Sequence, residues 1–516
     1  MDYRLKISVL SGVLYALSFP PFNLWFLIIP SLLGLYAVLV EGENSLLPGF
    51  IFGTISYGVI LYGIRSIGYE AWIPLTLFMG LIYGLFGKVF IYFSKRMSNN
   101  IFVLIAVISS FDLLRIYYPF GGFPWGYPST VLVNVAPVNF YRAFGPIGFS
   151  LIIESVVLFV SLIIVDKRYR KKLNLVNLRY YLISFFIIGL VFLYSVNNQD
   201  YSLNEMSAGE IDVSIVQGNS PCPGAKNKCT NERQIIYESH LNLTKTISES
   251  NFFNGSANAR LIIWPESSTG FSNDPLINVD TLNEISIEAA RLDAYFLIGG
   301  DRPIDSDYFE NYGILVNTSG NIEGQYLKQH PVPFGEYIPF RKYLEWIPPL
   351  ALVPRDMNRG GGQEVFIVRG NSNFEGVKIS PVISFEGSFE RYIRKSVQEG
   401  AEIIVILTNQ ASYGESGMSD QFILMSRANA VSNHRDIVHA AITGKSAFIN
   451  GVDGKVYSST ELFEADISTE LLKGHKLETP YSRYGNYLNY STIVLGLILF
   501  LYFRFVNRHT LYSSSL

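Results

Sequence analysis

The apolar residues of this 516-residue chain crowd into residues 1–200 and 491–506, and this constrains its fold more than any other feature. A bilayer core about 30 Å thick is crossed by roughly 20 apolar residues in a helix. Candidate runs lie at 5–19, 24–41, 46–64, 72–93, 101–116, 146–165, 180–196 and 489–506. The first is short and ends at Ser18-Phe19-Pro20-Pro21. No small-residue cleavage site follows it and another apolar run does, so it reads as a retained helix rather than a signal peptide. Composition agrees: 49% of the residues are hydrophobic and 16% charged, against about 25% charged in an average soluble chain. A net charge of -3, with no basic domain and no zinc-type Cys/His spacing, gives no reason to expect nucleic acid, a metal or a cofactor. The expectation is a membrane α-helical bundle of about eight spans. Helices 1–7 would occupy 1–200 and the last 489–506, with a globular domain at 208–475 between the final two.

Lysine and arginine fix the expected topology, because they accumulate on the cytoplasmic side of membrane helices. Arg4 and Lys6 precede the first run, and Lys95 and Arg96 follow the fourth. Lys167, Arg168, Arg170, Lys171, Lys172 and Arg179 follow the sixth, and Arg504 and Arg508 end the last. With eight spans these all fall on one side, with Arg65 and Arg142 as isolated exceptions. The domain at 208–475 then faces outward. Its two cysteines, Cys222 and Cys229, are the only ones in the chain. In an oxidising compartment a disulfide closing their loop is expected, two free thiols being the alternative.

Within that domain, β-branched runs at 210–217, 261–264, 295–299, 312–317, 323–328, 378–383, 402–408 and 437–442 read as strands. The strand at 261–264 is expected to stop at Pro265. Helical spacing marks 231–250, 281–292, 388–398 and 420–433, and hairpins turn near Asn317–Asn321 and at Asp453-Gly454. Strands alternating with helices indicate an α/β sandwich with a mixed sheet. Three strand ends carry polar residues the strands do not need: Glu266, Lys328 and Ser384-Phe385-Glu386. Such ends project side chains into a crevice at the sheet's carboxyl edge. A carboxylate, an ammonium and a hydroxyl there suit a base, an electrophile and a nucleophile. Taken singly, each is more often a capping or surface residue.

The motifs that surround these positions resemble those of the apolipoprotein N-acyltransferases of bacterial inner membranes. They run from Leu17-Ser18-Phe19-Pro20-Pro21-Phe22-Asn23-Leu24-Trp25, through Gly122-Phe123-Pro124-Trp125 and Gly145-Pro146-Ile147-Gly148, to Trp264-Pro265-Glu266. Pro333-Phe334-Gly335-Glu336, Asn409 through Ser416 and Thr479-Pro480-Tyr481-Ser482-Arg483-Tyr484-Gly485-Asn486 complete the order. The resemblance implies an extracytoplasmic, nitrilase-like α-β-β-α domain with a Glu-Lys-Cys triad. Glu266 would be the general base and Lys328 the oxyanion stabiliser, with Glu336 and Glu386 in support. It further implies a multi-pass inner-membrane enzyme, expected to be a monomer, with its catalytic domain in the periplasm. Its acyl donor would be a phospholipid and its acceptor the α-amino group of an apolipoprotein's diacylglyceryl-cysteine, through an acyl-enzyme.

The chain departs from the family at the nucleophile. Where the motif usually reads Cys-Tyr-Glu, this chain has Ser384-Phe385-Glu386. A thiol has a pKa near 8.5 and is readily activated, whereas an alkyl hydroxyl is far less acidic. Three readings of Ser384 stand open: an introduced replacement of the nucleophile, a natural serine that carries transfer, or a relative that binds lipid or lipoprotein without turnover. A membrane-tethered nitrilase-type amidohydrolase is the alternative reaction class. A second departure is Gln410 and Ser412, where the family commonly has an acidic residue and a tryptophan, with Tyr413 as a partial substitute along the acyl path. Phe334, Phe340, Trp346 and Leu350 lie in an apolar, proline-broken stretch. It reads either as a lipid-lining loop at the interface or as a buried core loop. His330, His434 and His439 read as surface or core histidines. Asp112 and Arg115 read as a membrane-boundary ion pair or a headgroup contact, and Gly360-Gly361-Gly362 as a flexible loop without a P-loop lysine.

Overall fold

The computed structural model describes residues 2–43, 45–168, 209–222, 229–248, 253, 257–370 and 374–513. The chain divides into two compact units, one formed by 1–199 with 484–516 and the other by 200–483. The expected seventh span, 180–196, lies outside the described residues.

The first unit is helical: α1 (Tyr3–Leu17), α2 (Ile28–Glu41), α3 (Leu47–Ile60), α4 (Tyr69–Arg96), α5 (Ile101–Tyr117), α6 (Val138–Arg168) and a C-terminal helix, Tyr487–Ser513. Among the described residues, three segments are long and apolar enough to cross a bilayer: Tyr69–Arg96, Val138–Val165 and Tyr487–Phe505. The expected spans at 24–41 and 46–64 appear as shorter apolar helices. The span expected at 146–165 starts where Gly145 leaves helical geometry ahead of Pro146, with a further helical stretch before it from Val138, as a proline that blocks a helical hydrogen bond requires. Helices α3 and α4 pack closely because glycines face each other, and a Cβ on Gly49 would stand 2.2 Å from the Tyr83 carbonyl oxygen. Small residues at such crossings let helix backbones approach in lipid. Asp112 and Arg115 are 3% exposed each. The Arg115 guanidinium donates to the hydroxyls of Tyr57 and Tyr83 and to the Trp125 carbonyl, so the expected headgroup contact gives way to an internal network.

The second unit is a four-layer sandwich. One sheet runs in the strand order 466–473, 210–217, 259–270, 295–303, 308–316, 322–327, and the other 456–459, 447–449, 436–441, 403–408, 377–383, 366–368. The first comprises β1 (Glu210–Gln217), β2 (Ala259–Gly270), β3 (Tyr295–Pro303), β4 (Tyr308–Val316), β5 (Ile322–Leu327) and β13 (Asp466–Lys473), with the short β6 (Asp356–Met357) beside β4. The second comprises β7 (Phe366–Val368), β8 (Val377–Ile383), β9 (Ile403–Thr408), β10 (Asp436–Ala441), β11 (Ala447–Ile449) and β12 (Val456–Ser459). Period-2 alternation sorts the side chains into layers. Ile211, Val213, Leu261, Ile263, Ile403 and Val405 fill the core between the sheets. Ile262, Trp264, Phe296 and Ile298 face outward on the first sheet, against α7 (Glu232–Thr246) and α8 (Val279–Leu292). Ile404 and Ile406 face α9 (Glu390–Gln398) and α10 (Met418–Asn433) on the second. This is the α-β-β-α arrangement.

Three strands run longer than expected, β3 on to Pro303, β4 from Tyr308 and β2 by the most. β2 does not end at Pro265 but runs on to Gly270. Its pairing with β3 jumps from Trp264↔Ile298 to Thr269↔Gly300, so residues 265–268 bulge where the partner strand supplies only Gly299. A proline cannot donate to a ladder, and a bulge is where a strand tolerates one. The structure also joins Cys222 to Cys229, with Cα atoms 5.9 Å apart.

Candidate active site

The bulge in β2 presents Glu266. Ser267 beside it adopts φ +61°, and a Cβ on Gly299 would come within 2.4 Å of the Pro265 oxygen, so only a glycine lets the two backbones pass this closely. Glu266 is 4% exposed. Its Oε1 accepts from Asn311 Nδ2 at 2.7 Å and lies 3.4 Å from Lys328 Nζ. Its Oε2 accepts the Asn409 backbone N–H at 2.6 Å, just past β9. The carboxylate therefore reaches from the first sheet to the carboxyl end of the second.

Lys328 leaves β5 with its N–H donated to the Asn311 carbonyl and its side chain fully buried. The ammonium donates to Glu336 Oε1 at 2.5 Å, and Glu336 Oε2 in turn accepts the Val332 N–H at 2.8 Å. One ammonium between two carboxylates holds the trio together. Burial weakens the Lys328 ammonium, but Glu336 and Glu266 outweigh it and hold it above the usual lysine range. Burial raises the Glu266 carboxyl despite the opposing Lys328 charge, and the neighbouring Glu336 charge adds to the rise. A carboxylate of raised pKa is a stronger base than its solvent-exposed counterpart.

Ser384 lies at the exit of β8, half-buried, with φ +54°. A non-glycine residue in this region is strained, and such strain concentrates at functional turns. Ile383 pairs with Leu407 of β9, which sets the serine turn beside the strand end whose Asn409 N–H holds Glu266. Glu386 locks the turn. Its Oε2 accepts the Ile383 N–H at 2.9 Å and the Tyr326 hydroxyl at 2.7 Å. Its Oε1 accepts the N–H groups of Gln329 and His330, the latter at 2.8 Å. One buried carboxylate thus joins the segment carrying Ser384 to the segment carrying Lys328. Burial raises the Glu386 carboxyl, against the hydrogen bonds that favour its ionised form.

Tyr413 packs against Phe422 with ring centroids 5.8 Å apart and the ring planes tilted by 40°. Burial pushes its phenol up to about 12, with the Glu266 and Glu336 charges adding to the rise and Lys328 opposing it, so it borders the charged trio as a neutral hydroxyl. Phe334, Phe340 and Trp346 are exposed, on the segment between Lys328 and β6. That segment is pinned by Asp356, which accepts the Ile338 N–H at 3.0 Å and pairs with Arg341. Its aromatic side chains are therefore displayed outward rather than packed in the core. His330 is buried among Phe385, Phe389 and Tyr392.

Two contributors were missed from the sequence. Asn311 carries a polar side chain just before the apolar run 312–316, a faint signal. The Asn409 contribution is a backbone group and carries no side-chain signal. Among the described residues no group of three His, Cys, Asp or Glu is disposed to hold a metal ion.

A buried carboxylate beside a buried ammonium, at the strand ends of a two-sheet sandwich, defines a class. Residues 213–475 match the carbon-nitrogen hydrolase family, about half the chain, and the chain belongs to that family. The particular resemblance lies in the other half as well, since residues 11–163 match the apolipoprotein N-acyltransferase N-terminal domain. Similar proteins include the apolipoprotein N-acyltransferases of Haemophilus ducreyi, 24% identical over 94% of both chains, and Geobacter metallireducens, 26% identical over 95% of this chain and 93% of that one. The match to the Mycolicibacterium smegmatis protein of the same name is 28% identical and spans 56% of this chain but only 48% of that relative. Among solved structures, an amidase from Nesterenkonia sp. aligns with 53% of this chain and 94% of its own at 12% identity and a TM-score of 0.35.

Proposed function

We propose that this chain is an apolipoprotein N-acyltransferase of a bacterial inner membrane, with the unit at 200–483 facing the periplasm. The observation that carries the reading is the buried Glu266–Lys328 pair, with the half-buried Glu336, beside the strained Ser384 turn. The N-terminal match to apolipoprotein N-acyltransferases and the long apolar helices support the membrane setting. The distribution of lysine and arginine supports the orientation.

In the proposed reaction Glu266 takes the proton from the nucleophile at position 384, which attacks the ester carbonyl of a phospholipid. Lys328 faces the negative charge that develops on the carbonyl oxygen. The C–O bond to the glycerol breaks, Glu266 returns its proton to the departing lysophospholipid, and an acyl-enzyme remains. The α-amino group of a diacylglyceryl-cysteine then attacks that ester. Its proton passes to Glu266 and on to the regenerated nucleophile as the amide is released. Phe334, Phe340 and Trp346 are proposed to meet the acyl chain, and Tyr413 to flank it near the carboxylates.

Serine at position 384 makes the first step the weak one. At neutral pH a few per cent of a thiol is already thiolate, whereas a hydroxyl depends on Glu266 in full. We therefore expect acylation of a diacylated lipoprotein to rise by about 100-fold or more in Ser384→Cys. No gain would favour a relative that binds lipid or lipoprotein without turnover, the reading that the serine itself supports. Release of free fatty acid in place of lipoprotein acylation would point to the amidohydrolase reading.

A further inference from the structure

Helix α7 sends one fully buried imidazole toward the bulge that carries Glu266. His240 Nδ1 lies 2.7 Å from the carbonyl of Ile236, one turn back. A carbonyl only accepts, so Nδ1 carries the ring proton and Nε2 presents a lone pair. That lone pair accepts the Gly218 N–H at 3.1 Å, where β1 ends. Ser268 Oγ stands 3.1 Å from the same nitrogen and 2.7 Å from the Pro265 carbonyl, so its single proton is shared between these two acceptors. Pro265 and Ser268 are the two ends of the bulge, with Glu266 and the left-handed Ser267 between them. The same helix holds the strand once more through Thr244, whose hydroxyl accepts from Trp264 Nε1 at 3.0 Å. A Cβ on Gly218 would stand 2.3 Å from the imidazole, so the ring occupies space that only a glycine leaves open.

From this geometry we infer that His240, through Ser268, is a positioning residue for Glu266. It fixes the bulge from behind, so that the carboxylate meets Lys328 and the nucleophile turn. The inference rests on the reading of Glu266 as the base. The ring touches neither acyl donor nor acceptor; it acts through the backbone on either side of Glu266. Losing its acceptor leaves the Gly218 N–H buried without a partner and frees the Ser268 hydroxyl from one of its two contacts. The expected consequence is a base that spends less time in hydrogen-bonding reach of position 384.

The test uses the full chain carrying Ser384→Cys. Cys222 and Cys229 are paired with each other, so iodoacetamide reports on position 384 alone. The thiol proton goes to Glu266, the sulfur–carbon bond forms and iodide leaves. Adding Glu266→Gln measures the base's full share, expected as at least a tenfold slower alkylation. His240→Phe keeps the ring's bulk but removes the acceptor, and is expected to slow alkylation at least threefold. Ser268→Ala, a smaller change, is expected to act in the same direction. His240→Gln can place an amide oxygen near the Nε2 position and is expected within twofold of the parent. A merely structural histidine would lower the melting temperature in both His240 variants and leave alkylation of the folded protein unchanged, which overturns the inference. Phe and Gln variants slowed alike would overturn it as well. Parent-like alkylation with Glu266→Gln would instead sink the reading of Glu266 as the base, and the inference with it.

Discussion

Glu386→Gln is the most informative single substitution, because the geometry dictates how the amide must turn. The carboxylate accepts two backbone N–H groups on Oε1, from Gln329 and His330. On Oε2 it accepts one backbone N–H, from Ile383, and the Tyr326 hydroxyl. An amide has one accepting oxygen. Facing its NH2 toward Gln329 and His330 would oppose two fixed donors, so the oxygen stays there and the NH2 turns toward Ile383. The Tyr326 hydroxyl can rotate to accept, but the Ile383 N–H cannot, and it is left buried and unpaired at about 1–3 kcal/mol. The two retained bonds also lose their charge assistance, and charged hydrogen bonds are roughly twice as strong as neutral ones. Relief from burying a charge offsets part of this loss, since burial already raises the Glu386 carboxyl. The net expectation is a loss of about 2–4 kcal/mol, or roughly 5–15 °C in melting temperature for a domain of this size. The orphaned N–H belongs to the residue before Ser384, so hydrogen exchange in the 383–389 segment should accelerate, and acyl transfer in the Ser384→Cys chain should fall with it. A Glu386→Gln protein that melts within 1 °C of its parent, with unchanged exchange in that segment, would refute the role assigned to this carboxylate.

Lys328→Met leaves the buried Glu266 and the half-buried Glu336 without their shared counter-charge, and breaking a buried pair costs about 3–5 kcal/mol. A fall in melting temperature with loss of turnover is expected, and the fall should lessen when Glu336→Gln is added. As the proposed base Glu266 acts in its ionised form, and its carboxyl is raised by burial, so the acid limb of turnover should lie above the usual carboxylate value of about 4.3. Lys328 is held above its usual range, so no alkaline loss from that group is expected before about pH 10. A pH–rate profile of the Ser384→Cys chain checks both limbs. His240 and His439 are each lowered by burial to about 4, below the value of an unfolded histidine. Their contribution to stability is therefore full above about pH 6.5 and is lost as pH falls toward 4, by up to about 3 kcal/mol each. Melting temperatures between pH 7 and 4 should fall, and the fall should shrink in His439→Gln.

The sandwich was legible because its strands are buried on one or both faces. Runs such as Ile403–Leu407 and Leu261–Trp264 alternate between two apolar layers, and such runs announce themselves by composition. The strand at β13 was not seen, because Asp466–Lys473 is only half-buried and its pairing with β1 is a long-range event with no local mark. Pro265 misled for a physical reason. The missing N–H reads as a strand stop, but here the strand accommodates it in a bulge, and the bulge is what turns Glu266 toward the other sheet. Glu266, Lys328 and Ser384 stood out as polar residues at strand ends. Their supporting groups, Asn311, the Asn409 N–H and His240, depend on the register of β3 with β4 and on helix packing, which residue spacing does not encode. In the helical unit, hydropathy located the helices but not their lengths, because glycines, Pro74 and Pro146 act through packing and kinks.

The central claim is that position 384 receives an acyl group from a phospholipid under the control of Glu266 and Lys328. Its most direct test is intact-mass analysis after incubation with phospholipid and no lipoprotein acceptor. The account predicts a mass increase of one acyl chain, mapped by peptide sequencing to position 384, strong in Ser384→Cys and weak or slow in the parent. The adduct should disappear when Glu266→Gln or Lys328→Met is added, and should discharge when a diacylated lipoprotein is supplied. An unmodified Ser384→Cys protein, or an acyl group mapped to another residue, would contradict it.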